Sequence, residues 1–272
     1  KSQKLKQHRR NMKDFNYHSA KDSKEASKLS SSSSAFLAGG MTTIPSMKLG
    51  LASYKDLIDI KNIKKLSGIK VSAKSVTIGA TTKHVEVANS KEVKKAIPSL
   101  ASLAEGIGDP QVRNRGTIGG SVANNDPSAD YPSACIALNA TIHTNNRKIE
   151  ASKFFKGMFE TVLKNGELIE AIEFQIPEKS SYQKHPNPAS RYAVVGVYVA
   201  KHKKEINVAV TGAKPCVYND KDLSKALSNS FSSSAIQNME LDSSDMNSDI
   251  HASAEYRASL VVTQAKKAVD AC

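Results

Sequence analysis

The sequence predicts an α+β fold in two or three subdomains, on three observations. At 272 residues the chain is long for one compact core. Apolar runs of strand length alternate with segments of helical spacing along the chain. A stretch rich in Pro and Ser, EKSSYQKHPNPAS at 178–190, marks a boundary, and the remainder of the chain reads as a small α+β unit. The expected divisions are a basic extension over 1–11, an N-terminal domain over 12–177 with subdomains of about 12–65 and 66–177, and a C-terminal domain over 178–272. The last is expected to hold an antiparallel sheet and helices.

Residues 1–11 read as an extension ahead of a natural start at Met12. Met12 to Tyr17 alternates weakly and is expected as a short strand. A polar helix from Ser19 to Lys28 comes next, with Ser19 as N-cap. Ser30 to Ser34 is a low-complexity turn. Ala35-Phe36-Leu37-Ala38, apolar between serines and glycines, fits a buried strand. Gly39-Gly40-Met41-Thr42-Thr43 then aims backbone N–H groups past the strand end, where α/β proteins bind phosphates. Met47 to Leu49 and Leu57 to Ile60 add apolar pieces, and Val76 to Ala80 alternates as a strand. Val85 to Ala96 has helical spacing, and Pro98 opens another helix through Glu105. Ala140 to Thr144 runs into Asn145-Asn146, a hairpin signal, with Lys148 to Glu150 returning. Gly166 to Pro177 is a strand of mixed face. Tyr192 to Ala200 and Ile206 to Gly212 make an antiparallel pair. A polar linker at Ser243 to Ser248 precedes a helix from Ala254 to Val269, whose apolar side includes Tyr256, Leu260, Val261, Ala265, Ala268 and Val269.

Composition excludes several classes. No apolar run reaches the roughly 20 residues that span a bilayer, and KSQKLKQHRR has no apolar core behind it to make a secretory signal. Three widely spaced cysteines, Cys135, Cys216 and Cys272, form no C-x-x-C and read as cytosolic thiols, not as an iron–sulfur or disulfide frame. A cytoplasmic location is expected. The net charge of +13 is partly an N-terminal matter, since the first 28 residues hold nine Lys or Arg against three acids. Without a helix-turn-helix, zinc-finger or stacking pattern, no nucleic-acid partner is expected. The excess reads as solvated surface and as docking charge for an acidic partner.

The chemistry concentrates in GIGDPQVRNRGTIGGSVANNDPSAD, Gly106 to Asp130, which carries five of the fourteen glycines. Diglycine beside Thr117, Ser121 and Asn124 suits a buried anion, although tight turns also use glycine. The earlier Gly39-Gly40 repeats the pattern, so two loops can close on one pyrophosphate. The common nucleotide motifs fail: Gln111 stands where a dinucleotide fingerprint needs glycine, and no phosphate-loop G-x-x-x-x-G-K-[ST] occurs. His84-Val85-Glu86 lacks the second cysteine after Pro215-Cys216 that a zinc deaminase requires, so His84 reads as a polar helix residue. With no G-x-S-x-G and no metal-ligand cluster, no catalytic residue and no metal are expected. Asp130, after the glycines, completes a cofactor-holding pattern.

At these residues the chain resembles the FAD-binding medium subunit of the xanthine dehydrogenase and aerobic carbon monoxide dehydrogenase (molybdenum hydroxylase) family. The resemblance rests on Ala38-Gly39-Gly40 with Met47-Lys48-Leu49, on Ile78-Gly79-Ala80-Thr81-Thr82, and on Ile107 through Gly120. Asp126-Pro127-x-x-Asp130, Pro98-x-Leu100 and Ala254-Glu255-Tyr256-Arg257 agree, in order, over the chain from Met12 onward. It implies a two-part FAD-binding domain of the PCMH type and, after it, the small C-terminal α+β domain.

By that resemblance, Phe36, Leu37, Ala38, Gly39, Gly40, Met41, Thr42 and Thr43, with Thr117, Ile118, Gly119 and Gly120, grip the FAD pyrophosphate through backbone N–H groups. Thr117 and Asn124 serve the phosphate and ribitol region, and Asp130 accepts from ribitol or ribose hydroxyls. Ile107 and Ile169 match apolar walls, Lys184 a flavin-side cation, and Tyr192 an aromatic near the isoalloxazine. The family has His or Gln then Ser after Ala-Gly-Gly; here the Met41 side chain cannot hydrogen-bond as His or Gln does, whereas Thr42 keeps a hydroxyl. The implied function is an electron-transfer oxidoreductase subunit. It takes electrons from a [2Fe-2S] small subunit, beside a molybdopterin-binding large subunit, in a dimer of heterotrimers, and hands them to an external acceptor. A second reading, favoured by Met41 and the Ser-rich loop beside it, is a structural subunit of such a complex that has lost the flavin.

Overall fold

In the computed structural model, which describes residues 12–272, the apolar alternation resolves into three principal sheets and a short ribbon. The extension expected over 1–11 lies outside the described residues. The first sheet is parallel: β1 (Asn16–Ser19), α1 (Ser23–Leu29), β2 (Ser34–Leu37), α2 (Thr43–Lys48) and β3 (Asp56–Asp59), with β3 between β1 and β2. Leu57 and Ile58 of the central strand are fully buried. Helix α1 starts later than expected. Asp22 accepts the N–H of Glu25 at 2.8 Å while Glu25 accepts that of Lys21 at 2.7 Å, a reciprocal cap that leaves Ser19 as the end of β1. Strand β2 is half-buried, being an edge strand.

The second piece comprises β4 (Ile69–Val71), β5 (Ser75–Gly79), α3 (His84–Asn89), α4 (Lys91–Ala96), α5 (Pro98–Glu105), α6 (Pro110–Arg113), α7 (Ile118–Asn124), α8 (Tyr131–Ala137), β6 (Thr141–Thr144), β7 (Lys148–Glu150), the ribbon β8 (Phe155–Gly157) and β9 (Glu160–Thr161), and β10 (Ile169–Gln175). Its five-stranded sheet runs β4-β5-β10-β6-β7 and is antiparallel at every pairing. Val76, Ile78, Ile142, Ile172 and Phe174 cover one core with Val87, Val93, Leu100 and Leu103 of the helices. The single helix expected over Val85–Ala96 is two, because Ser90 ends α3 and its hydroxyl accepts the Val93 N–H to start α4. The hairpin at Asn145-Asn146 and the helix opened by Pro98 are where the sequence put them.

The third sheet, β11 (Lys179–Pro186), β12 (Ala193–Lys201), β13 (Ile206–Thr211) and β14 (Tyr218–Asn219), is antiparallel in that order; α9 (Lys221–Asn229) and α10 (Ala254–Asp270) come after it. The Pro- and Ser-rich segment expected as a boundary is thus mostly strand. Its polar residues suit an edge, where Pro186 closes the ladder. Strands β12 and β13 are buried on both faces, which is why AVVGVYVAK reads as one apolar run. Tyr198, Ala200 and Ala209 join the core of the second piece, while Val195, Val197, Val199, Val208 and Val210 pack on Leu223, Leu227, Leu260 and Val261. Buried Arg257 donates to the carbonyls of Val194 (2.6 Å) and Gly212 (3.0 Å), tying α10 to both strands. Among the described residues no helix is long and apolar enough to cross a membrane.

Candidate cofactor cleft

The two diglycine segments meet. A Cβ on Gly39 would stand 2.2 Å from the Arg115 carbonyl oxygen and 2.9 Å from the Gly116 Cα, so only glycine lets the turn after β2 touch the segment before α7. Around this contact opens a cleft of about 510 Å³. Phe36, Ala38, Gly39, Gly40, Met41, Thr42 and Thr43 line one side, and Thr117, Gly119, Gly120, Asn124 and Asp130 another. Ile107, Ile169 and Tyr192 complete the predicted set in the lining, beside Leu163 and Leu168. Three predicted residues are outside it. Leu37 is the last residue of β2, its carbonyl accepting the Ile60 N–H; Ile118 is fully buried in the core; Lys184 stands behind Asp130.

The two turns differ in what they offer an anion. Among the described residues, none of the N–H groups from Ala38 to Thr42 donates to a protein acceptor, leaving a run of donors at the end of a parallel strand. The second turn is not a loop but the start of α7. There Ile118 donates to Thr82 O (3.1 Å), Gly119 to Ala80 O (2.9 Å) and Gly120 to the Thr117 hydroxyl (3.2 Å). The N–H groups of Ile118, Gly119 and Gly120 are therefore already engaged within the protein, and of these three residues only Gly119 and Gly120 line the cleft.

Asp130 ends the cleft, only 5% exposed. Its carboxylate accepts from the Tyr182 hydroxyl and from Lys184 Nζ at 3.0 Å, and Lys184 also donates to Gly106 O at 2.9 Å. Burial pushes the Asp130 carboxyl upward, against the pull of Lys184 and Tyr182. Tyr182 reaches it because Gly196, on the neighbouring strand, has no side chain; a Cβ there would lie 2.3 Å from the Tyr182 oxygen. The Asp126-Pro127 turn sets the height of Asp130, since Thr211 Oγ1 donates to Pro127 O and Ala129 O at 2.9 and 2.7 Å.

The Gly106–Gly108 turn is held through its carbonyls. Lys184 takes Gly106, Arg113 Nη1 takes Ile107 (3.0 Å) and Gly108 (3.1 Å), and Arg191 Nη1 takes Gly108 (3.3 Å). Arg191 itself sits at φ 61° beside Tyr192, and both line the cleft. His84, passed over as a polar helix residue, is a wall residue, 5% exposed and packed at a tilt against Tyr131, with 5.4 Å between ring centroids. Burial, then the charge of Arg113, lowers its pKa to about 4, so the ring is neutral. Only its place in Thr-Thr-Lys-His after a strand end could have flagged it.

Free donors at a strand end, a buried carboxylate across the cleft and apolar walls between them define a nucleotide-cofactor-binding protein, and they fit a flavin dinucleotide. The family described as "FAD binding domain in molybdopterin dehydrogenase" matches residues 13–178. The chain is 31% identical to the carbon monoxide dehydrogenase medium chain of Hydrogenophaga pseudoflava, covering 94% of this chain and 96% of that one. It is 39% identical to the glyceraldehyde dehydrogenase medium chain of Sulfolobus acidocaldarius, over 60% of each. It superposes on a chain of carbon monoxide dehydrogenase from Hydrogenophaga pseudoflava with a TM-score of 0.84 at 31% identity, covering 95% and 97%. The chain belongs to the FAD-binding family of the molybdopterin dehydrogenases; its cofactor is FAD and its class that of an oxidoreductase subunit.

Proposed function

We propose that this chain is the flavin subunit of a cytoplasmic molybdenum hydroxylase complex. It takes electrons from a [2Fe-2S] small subunit, beside a molybdopterin-binding large subunit, and delivers them to an external acceptor, in a dimer of heterotrimers. The observation that carries the reading is the run of uncommitted N–H groups from Ala38 to Thr42, facing Asp130 across one cleft. Bound FAD supplies reversible two-electron uptake. The residues supply position and environment. The Ala38–Thr42 donors neutralise the diphosphate, Thr117 and Asn124 bound the phosphate and ribitol region, and Asp130 accepts from a sugar hydroxyl. Its carboxylate keeps lone pairs beyond those that Tyr182 and Lys184 occupy. Ile107, Leu163, Leu168 and Ile169 exclude water, and Tyr192 with Arg191 closes the outer side. No protein acid or base is required.

The test is the flavin content of the purified chain, released by heat and identified as FAD by chromatography. About one FAD per chain is expected, with Asp130→Ala weakening binding by roughly 1.5–3 kcal/mol. A folded chain that takes up no added FAD would instead be the flavin-free structural subunit.

A further inference from the structure

A second recess lies outside the cleft, between α1, the 3-10 turn Lys64–Leu66 and the β6–β7 turn, with a volume of about 1020 Å³. Five lysines line it, Lys21, Lys24, Lys28, Lys64 and Lys65, against two acids. Among the described residues none of these lysines forms an ion pair. Of the acids, Asp22 is already engaged as the cap of α1. Lys24 and Lys28, four apart on α1, present their charge on one side. Like charges gathered in a recess repel one another, and its two acids leave three of the five lysine charges unbalanced. A second observation is independent of charge. The Ser23 hydroxyl, in a residue 8% exposed, is buried in this wall with no hydrogen-bond partner. The side chains of Asn62 and Asn146, also in the wall, make no hydrogen bond among the described residues either.

We propose that this trough is a docking site for an acidic polypeptide segment of a partner subunit. The proposal deepens the subunit reading above, and rests on it. Unpaired lysines meet carboxylates, and the exposed amides of Asn62 and Asn146 meet peptide groups. The recess exceeds a single phosphate, and no aromatic ring lines it on which a nucleic-acid base would stack. The trough also adjoins the cofactor site: Leu168 and Ile169 line the cleft and Glu170, next in the chain, lines the trough. A partner seated there lies across β10 from the cleft.

The experiment measures fluorescence anisotropy of a labelled peptide of alternating Glu and Gly with the purified, flavin-loaded chain. Lys24→Glu/Lys28→Glu/Lys64→Glu is compared with a control of equal charge, Lys203→Glu/Lys221→Glu/Lys225→Glu. Salt-sensitive binding is expected, weakened at least ~10-fold in the trough variant and by no more than about 2-fold in the control. Lys28→Gln, which removes one exposed charge and adds none, is expected to weaken binding about 3-fold. It carries the test if the triple variant fails to fold. Equal loss in trough and control variants, an unchanged trough variant, or an oligodeoxynucleotide of equal charge bound more tightly in the trough would overturn the proposal. Flavin content is measured on the same samples, so a failure of docking leaves the FAD reading standing, and a loss of flavin is seen separately.

Discussion

Single residues decide whether the cleft exists. Gly39→Ala places a methyl group inside the Arg115 carbonyl, and backbone cannot yield as a flexible side chain does. The expected cost is about 1–3 kcal/mol of stability, with loss of bound flavin from the visible spectrum; a variant that retains full flavin would contradict the contact. His84 yields a pH prediction. Its folded pKa of about 4 lies below the ordinary 6.5, so the unfolded chain takes up the proton first. The contribution of the neutral ring is intact above pH 6.5, declines between 6.5 and 4, and is gone below. The span corresponds to roughly 3 kcal/mol. Urea midpoints of the wild type and of His84→Gln, measured from about pH 7 to about pH 4, are expected to converge as pH falls. Residue types told which positions carry chemistry: glycines, Asp130, Tyr192. Partnership was not legible there, because Tyr182, Gly196 and Lys184 reach Asp130 from strands whose pairing no local pattern specifies.

At the scale of elements, the start of α7 shows a motif whose residues are right and whose shape differs from expectation. Thr-Ile-Gly-Gly reads as a loop because glycine disfavours helix. Thr117 caps the segment, however, and Ala80 and Thr82 take its first N–H groups. Thr117→Ala is expected to cost roughly 1 kcal/mol in chemical unfolding, as losing a cap does; a several-fold larger cost would show that Thr117 does more than cap. Pro98, the Asn145-Asn146 turn, two continuous apolar runs and helical spacing made α5, the β6–β7 hairpin, β12–β13 and α10 readable. Helix α9 was not, since its nine residues bury only Leu223 and Leu227 and its signal lies in the Asp220 cap. Strand β11 was hidden because an edge strand rich in Ser, Lys and Pro has the composition of a linker.

At the scale of the molecule, the division at 177/178 that composition suggests cuts through a shared core. Tyr198, Ala200 and Ala209 pack with Ile78, Ile142 and Ile172, and Tyr198 shares a hydrogen bond of 2.6 Å with Ser99 of α5. We therefore expect the whole chain to lose its structure in one thermal transition monitored by circular dichroism. A fragment of 12–177 is expected to melt well below the whole chain and to bind FAD more weakly; equal melting and equal affinity would make the two parts independent. The contact between Gly39 and Arg115 has one more consequence, for synthesis. The turn after β2, with its free donors, leaves the ribosome early, but the Arg115–Gly116 segment it rests on is translated much later, and the strand that fixes Asp130 later still. Cofactor loading therefore belongs to the finished polypeptide: a stalled nascent chain carries the donors without a place to hold what they bind.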